Sequence, residues 1–174
     1  VFDQGEAIRV GDTVLASVEP VTRFNTMIHH SATHLLHAAL RKVLGPEATQ
    51  AGSFVGPEGA RFDFSFPRGM TVDEVNRVEA LMNRWIQEST PRRLELMPID
   101  EAKRAGALAM FDEKYGDVVR VIAFGEVSVE LCGGTHVEHL GQIGLARIVS
   151  EGAIASGVRR IEFVVGEEAY RQFK

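Results

Sequence analysis

Between residues 26 and 44 the hydrophobic positions recur with the period of an α-helix. They form one stripe centred near Ala39, at about 100° per residue. Asn25 is a favoured N-cap residue, and Gly45-Pro46 is a typical helix stop. The pattern predicts an amphipathic helix over 26–44, with a polar face opposite the hydrophobic stripe.

A strict two-residue alternation follows at residues 60–66, where Phe62, Phe64 and Phe66 point to one side. This alternation predicts a half-buried strand, with a loop over 50–55 leading into it. Further strands, most of them joined by short turns, are predicted at residues 7–10, 13–18, 94–98, 118–124, 127–131, 142–151 and 158–165.

A second long helix is predicted from its first turn. Thr71 and Glu74 have the spacing of a capping box, which opens a helix that runs to about residue 88. The remaining segments are predicted as a short helix over 100–105 capped by Asp100, a mobile connection over 106–116 and a terminal helix from Gly166.

Strands joined by short turns and mixed with helices favour an α+β fold, with a largely antiparallel sheet packed against helices. Gly11-Asp12 suits a hairpin turn, so we expect a short β-hairpin before the main fold. We predict three units: a partial β-barrel or linker element over 1–22, a main domain over 23–166, and the start of a C-terminal helix over 167–174. Because the chain begins with Val1, we expect it to be a piece of a longer protein.

Composition narrows the function classes. The 174 residues are 45% hydrophobic and 25% charged, which is ordinary for a globular domain. No apolar run approaches about 18 residues, so we expect no membrane partner. The net charge of −5 argues against broad contact with nucleic-acid phosphates, so any bound RNA would touch a small patch. The single cysteine, Cys132, excludes an internal disulfide.

Two pairs of residues have metal-ligand spacing. His30 and His34 lie four residues apart, one turn apart on the predicted helix. Cys132 and His136 follow a predicted strand, and the intervening Gly133-Gly134 can turn both side chains toward one point. Three nitrogens and one sulfur form a donor set that suits tetrahedral zinc.

The residues alone leave alternatives open. The first pair could be two solvated histidines on a helix surface. In the second pair, Cys132 could be a buried structural cysteine. Four protein ligands usually make a structural zinc site, whereas a catalytic zinc keeps a position for water. His37 is a weaker ligand candidate on the same helix face, and His29 and His139 are expected at the surface or behind the ligands.

Several motifs occur in the order typical of one family. The segments that carry the resemblance are His30-Ser31-Ala32-Thr33-His34-Leu35-Leu36-His37, Gln50-Ala51-Gly52-Ser53, Arg61-Phe62-Asp63-Phe64-Ser65, Glu113-Lys114-Tyr115-Gly116-Asp117, Glu130-Leu131-Cys132-Gly133-Gly134-Thr135-His136-Val137 and Gly157-Val158-Arg159-Arg160-Ile161-Glu162. Together they resemble the editing domain of alanyl-tRNA synthetase. The resemblance covers residues 23–166 and extends to freestanding alanyl-tRNA editing proteins.

The resemblance implies zinc-dependent hydrolysis of tRNA(Ala) mischarged with serine or glycine, by a cytoplasmic protein whose other synthetase domains are partners. It implies Zn2+ on His30, His34, Cys132 and His136. Thr33 and Gln50 would be catalytic and substrate-binding residues, and Gly133 and Gly134 would let backbone approach the ester. No aminoacylation motifs are present, so the chain is not expected to charge tRNA.

Two departures and two alternatives accompany the resemblance. The family usually has Lys where this chain has Ala51, and often His where it has Phe66. The alternatives are a module that binds the tRNA acceptor end with a structural zinc, and an editing domain of the threonyl type. Arg41-Lys42 and Arg159-Arg160 are the basic pairs predicted to contact RNA.

Overall fold

The computed structural model describes residues 9–109 and 115–172. Its elements are α1 (Pro20–Leu44), β1 (Gln50–Val55), β2 (Ala60–Ser65), α2 (Val72–Glu88), β3 (Arg92–Pro98), α3 (Ile99–Arg104), β4 (Val118–Phe124), β5 (Ser128–Leu131), a 3-10 helix (Leu140–Ile143), β6 (Ala146–Ala155), β7 (Val158–Val165) and α4 (Glu167–Arg171). Every strand pairing in its two sheets is antiparallel, which confirms the α+β prediction.

The larger sheet has the strand order β1-β2-β7-β6 and the smaller sheet β3-β4-β5. Helix α1 contacts α2, three strands of the larger sheet and β5 of the smaller one. Its hydrophobic stripe packs into the main core with Phe62 and Phe64, both fully buried as their alternation predicts. The opposite face of α1 is largely covered as well, because His29, His34 and His37 are buried and His30 is half-buried.

Helix α1 begins earlier than predicted, at Pro20 rather than near residue 26. The Glu19 carboxylate caps it by accepting from the backbone N–H groups of Val21 and Thr22 at 3.0 and 2.6 Å. Pro20 occupies the first turn, where its missing N–H costs nothing, so it starts the helix instead of closing the segment before it. Asn25 lies inside the helix and is not its cap.

The predicted hairpin is wrong over the described residues 9–19, which contain no strand. A turn does form, with Gly11 at a φ of 102° and Asp12 accepting from the Arg9 N–H at 2.7 Å. The arms are fully exposed and find no third strand, and an isolated two-stranded hairpin is marginal in water. Residues 7 and 8 of the first arm lie outside the described residues.

Smaller differences concern the ends of elements. The 50–55 segment is itself strand β1, paired with β2 through a bulge at Gln50/Gly52, rather than a loop. Asp100 was predicted to cap α3, but it lies within the first turn of that helix. The cap position is Pro98, and no side chain makes a capping hydrogen bond. The predicted strand over 142–151 begins at Ala146, after a 3-10 turn. The predicted connection over 106–116 includes residues 110–114, which lie outside the described residues, as do residues 173 and 174 of the terminal helix.

Candidate metal centre

Helix α1 and the loop after β5 bring the four predicted ligands together. His30 and His34 lie one turn apart on α1, and Cys132 and His136 follow β5 directly. One ligand atom from each residue lies within 4.8 Å of the others. His30, His34 and His136 also bring their rings into mutual contact, with centroids 4.2–5.5 Å apart.

The spacing of the donor atoms suits a tetrahedral ion. The Cys132 Sγ lies 3.5 Å from the His30 Nε2 and 3.2 Å from the His136 Nε2. Zinc bonds of about 2.3 Å to sulfur and 2.05 Å to nitrogen, at a tetrahedral angle, would put these atoms roughly 3.6 Å apart. The four side chains therefore fit a zinc-sized ion with small adjustments.

The three histidines are poised as neutral ligands. Burial, together with the nearby His34, lowers the pKa of His30 from 6.5 to about 4. Burial likewise lowers the pKa of His34 and of His136, and each ring's basic neighbours add to the effect. A metal ion binds the unprotonated imidazole, so at neutral pH no proton has to leave these rings.

Two arginines hold the ligand loop in place. Arg120 of β4 donates to the backbone carbonyls of Cys132, at 2.9 Å, and Gly134. Arg92 of β3 donates to the carbonyl of His136 at 2.7 Å. The smaller sheet thus positions the loop through main-chain contacts, and local sequence patterns gave no signal for either arginine.

Gly134 serves a packing purpose at the site. A Cβ on this residue would overlap the His30 ring, so only glycine lets the loop close on that ligand. Gly133 has open space around its Cα and lines the neighbouring cavity. Both glycines were predicted to let a ligand come close to the backbone. Gly133 has the space for this, whereas the backbone of Gly134 lies against the His30 ring.

A cavity of about 370 Å³ opens beside the four candidate ligands. This volume is at the lower end of the range of about 300–1,000 Å³ for small-molecule sites. Its lining includes the predicted polar pair and two further polar side chains, the complete set being His30, Thr33, His34, Gln50, Ser53, Glu130, Leu131, Cys132, Gly133 and Gly134.

The two predicted pocket residues, Thr33 and Gln50, make different hydrogen bonds within the protein. Thr33 lines the pocket, and its hydroxyl donates to the His29 carbonyl at 2.9 Å, so the hydroxyl oxygen can take part in a further hydrogen bond only as an acceptor. Gln50, at the start of β1, donates from Nε2 to the Ser53 hydroxyl at 3.0 Å, and this bond does not use its carbonyl oxygen. Both side chains can therefore accept hydrogen bonds from a ligand.

Glu130 is a pocket residue that the sequence analysis missed. Its carboxylate is 4% exposed, accepts from Ser128 at 3.2 Å, and lies 3.3 Å from the His37 Nδ1. Burial raises its pKa, but His34, His37 and Ser128 together outweigh burial, and the net pKa is lowered. The alternation of β5 places Glu130 on the same side as Ser128, a signal that could have identified it.

The remaining histidines have structural surroundings. His29 was expected at the surface or behind the ligands; it is wholly buried, so the surface position is wrong. Its Nδ1 bonds the Asn25 carbonyl at 2.8 Å, and its Nε2 accepts from the Val165 N–H at 3.2 Å. His37 lies against Glu130, outside the group of four ligands. His139 is exposed, as expected.

The two predicted RNA-contacting pairs also differ. Arg159 forms a two-point ion pair with Glu151 at 2.6 and 2.9 Å, and Arg160 forms one with Asp63 at 2.7 and 2.8 Å. These guanidinium groups are already neutralised within the larger sheet. Arg41 instead lines a smaller cavity that shares Gln50 and Glu130 with the main pocket.

Comparison with known proteins shows that the chain is similar to parts of aminoacyl-tRNA synthetases. Residues 119–162 match the family described as threonyl and alanyl tRNA synthetase second additional domain. The chain is 51% identical over 167 residues to an alanine–tRNA ligase of Sulfurovum sp. (strain NBC37-1), covering 96% of this chain and 19% of the relative. It is 53% identical over 167 residues to an alanine–tRNA ligase of Methylobacillus flagellatus, with the same coverage. The chain thus spans 19% of the length of these relatives.

Among the described residues, no helix is long and apolar enough to cross a membrane.

Proposed function

We propose that this chain, which is related to the alanyl-tRNA synthetase editing domain, is a zinc-dependent deacylase that hydrolyses Ser-tRNA(Ala) and Gly-tRNA(Ala). The observation that carries the proposal is a group of four candidate ligands, His30, His34, Cys132 and His136, at one side of a polar-lined cavity. An aminoacyl ester is already activated, so hydrolysis needs a positioned water and a stabilised oxyanion rather than a covalent intermediate.

When bound, zinc would supply polarisation of the ester carbonyl or a lower pKa for a bound water. The residues of this chain supply the rest of the site. Thr33 and Gln50 offer acceptor oxygens that suit the ammonium or hydroxyl group of a seryl or glycyl ester. Gly133 lines the same cavity with open space where a side chain would lie, so the ester can approach its backbone closely.

Glu130 supplies a base within the cavity. With its pKa held below the ordinary value, the group is a carboxylate at neutral pH and can accept the proton of an attacking water. Attack of that water on the carbonyl carbon breaks the ester bond to the terminal ribose, and the leaving ribose oxygen takes the proton from Glu130, so the products are the free amino acid and uncharged tRNA. The pocket size matches an aminoacyl group rather than folded RNA.

The partner we propose is the acceptor end of tRNA(Ala) carrying serine or glycine, presented in the cytoplasm with the help of other domains of a synthetase. Arg41 lines the smaller cavity beside the pocket, which supports it as the basic residue that would meet an acceptor-strand phosphate. The net charge of −5 makes this chain a weak RNA binder by itself, so the other domains would supply most of the affinity.

The test is deacylation of Ser-, Gly- and Ala-tRNA(Ala) by the purified chain, with seryl-tRNA(Thr) as a control. We expect hydrolysis of the seryl and glycyl esters of tRNA(Ala), with cognate alanyl ester spared, and one zinc per chain by elemental analysis. Preference for seryl-tRNA(Thr) would favour the threonyl-type alternative. Zinc binding and tRNA binding without hydrolysis would favour the module with a structural zinc.

A further inference from the structure

Ser31 lies between the two histidine ligands on α1, yet it does not line the pocket. It is fully buried, and its hydroxyl oxygen has three polar neighbours. These are the Met27 carbonyl at 3.0 Å, the Val137 N–H at 3.1 Å and the His136 Nδ1 at 3.1 Å. A serine at this point therefore joins α1 directly to the ligand loop.

The hydroxyl has one hydrogen, and its neighbours decide where that hydrogen lies. The Val137 N–H can only donate and the Met27 carbonyl can only accept, so the hydroxyl hydrogen goes to Met27. The oxygen then accepts from His136, which requires the proton of the neutral ring to be on Nδ1. The opposite arrangement would leave the Ser31 and Met27 oxygens 3.0 Å apart with no hydrogen between them.

We infer that Ser31 is a positioning residue that holds His136 in its Nδ1-protonated tautomer, so that the Nε2 lone pair faces the candidate metal site. The Nε2 atom is the one that lies 3.2 Å from the Cys132 Sγ. The other tautomer would direct an N–H at the metal position and exclude the ion from this ligand. The inference rests on the proposed zinc site for its functional meaning, although the tautomer itself exists without the metal.

A hydrogen bond to the second ring nitrogen of a ligand histidine affects how tightly the site binds its metal. The partner of the second ring nitrogen fixes the tautomer and orientation of a ligand histidine, and its loss typically lowers metal affinity by about 10–100-fold. For Ser31→Ala we expect a loss of zinc affinity in this range. The matched control is Thr26→Ala, which removes another α1 hydroxyl bonded to the carbonyl four residues earlier, at 2.8 Å, but away from the ligands. We expect Thr26→Ala to leave zinc affinity within about twofold of the parent.

The decisive measurement is long-range 1H–15N NMR of the metal-free, 15N-labelled chain at neutral pH. We expect His136 to show a single tautomer with the proton on Nδ1, and Ser31→Ala to show a mixture of both tautomers. Competition with a chromophoric zinc chelator then measures the affinity of the parent chain and of both variants.

The proposal is overturned if His136 in the parent chain carries its proton on Nε2, a result that does not depend on whether any variant folds. It is also overturned if folded Ser31→Ala keeps the pure Nδ1 tautomer, or binds zinc as tightly as Thr26→Ala. Failure of the parent chain to bind zinc would instead contradict the proposed function, while the tautomer measured in the metal-free chain would stand.

Discussion

The Oε2 atom of Glu130 lies 3.6 Å from the Nε2 atom of His34, so a buried carboxylate directly adjoins one of the four candidate ligands. Both side chains are about 4–5% exposed. The carboxylate also lines the pocket, which gives it access to whatever occupies that cavity. A carboxylate between ligand and substrate space can orient the ligand and accept a proton during hydrolysis.

We therefore predict that Glu130→Gln lowers the rate of Ser-tRNA(Ala) hydrolysis by about 10²–10⁴-fold, because the amide cannot accept the proton of the attacking water. The change keeps the shape of the side chain, so the far-ultraviolet circular dichroism should be unchanged. Glu126→Gln, the same substitution on the exposed β4–β5 turn, is the matched control. A Glu130→Gln variant that retains zinc and hydrolyses at the parent rate would remove Glu130 from the mechanism.

Cys132→Ala tests the metal dependence. Cys132 is the only cysteine, so its loss removes the sole thiolate and should abolish stoichiometric zinc binding together with hydrolysis. The main core around Phe62 and Phe64 does not depend on the metal, so the chain should stay folded. Elemental analysis, deacylation and circular dichroism measure these three properties on one sample. Unfolding of the variant would indicate a structural zinc, and hydrolysis at the parent rate would contradict the assignment of Cys132.

The acid stability of the metal-free chain should follow the buried histidines. Because the folded pKa of His30 is lowered from 6.5 to about 4, the unfolded chain binds more protons between these values. The contribution of His30 to the free energy of unfolding is therefore fully present above pH 6.5. It is lost as the pH falls toward 4, which lowers the free energy of unfolding by up to about 3 kcal/mol from this group alone. Urea unfolding at pH 7.5, 5.5 and 4.5 measures the loss, and His30→Gln is the control that should make the profile less steep, because the other buried histidines still contribute. A stability that is constant over this range would mean that His30 titrates normally.

Local patterns were sufficient to predict the two pairs of candidate ligands that the structure brings together, because each pair is set by one short element. The spacing of His30 and His34 makes a shared helix face unavoidable, and Gly133-Gly134 folds Cys132 back next to His136. Contacts between distant segments could not be predicted in this way. His29 meets Val165, which is far from it in the sequence, so its burial depends on how β7 packs against α1 rather than on its position in the helix.

The hydrophobic pattern located strand β2 better than it located the start of α1. Strand alternation in β2 reports burial directly, since one face meets the core. The first turn of α1 has no such pattern, because Val21 and Phe24 are exposed. Its start depends on the Glu19 cap and on Pro20, and a glutamate is not among the favoured cap residues.

The two basic pairs should differ in what they contribute to stability and to tRNA binding. Arg160 is committed to Asp63 across β2 and β7, with both hydrogen bonds to one carboxylate, and this pair is only partly exposed. Arg160→Ala should therefore lower the free energy of unfolding by about 1 kcal/mol and leave tRNA affinity nearly unchanged. The double variant Arg41→Ala, Lys42→Ala should instead weaken tRNA(Ala) binding and leave stability nearly unchanged.

Salt dependence gives the quantitative form of this test. Each neutralised phosphate contributes about 0.9 to the slope of log affinity against log salt for a duplex, and about 0.7 for a single strand. With one basic pair in contact, the parent slope should be roughly 2 or less, and the Arg41, Lys42 variant should lower it while Arg160→Ala does not. Titrations by fluorescence anisotropy between about 50 and 200 mM salt measure all three slopes. A parent slope of about 5 or more would show a wider basic surface than the one beside the pocket, and a reduced slope in Arg160→Ala would return that arginine to the RNA interface.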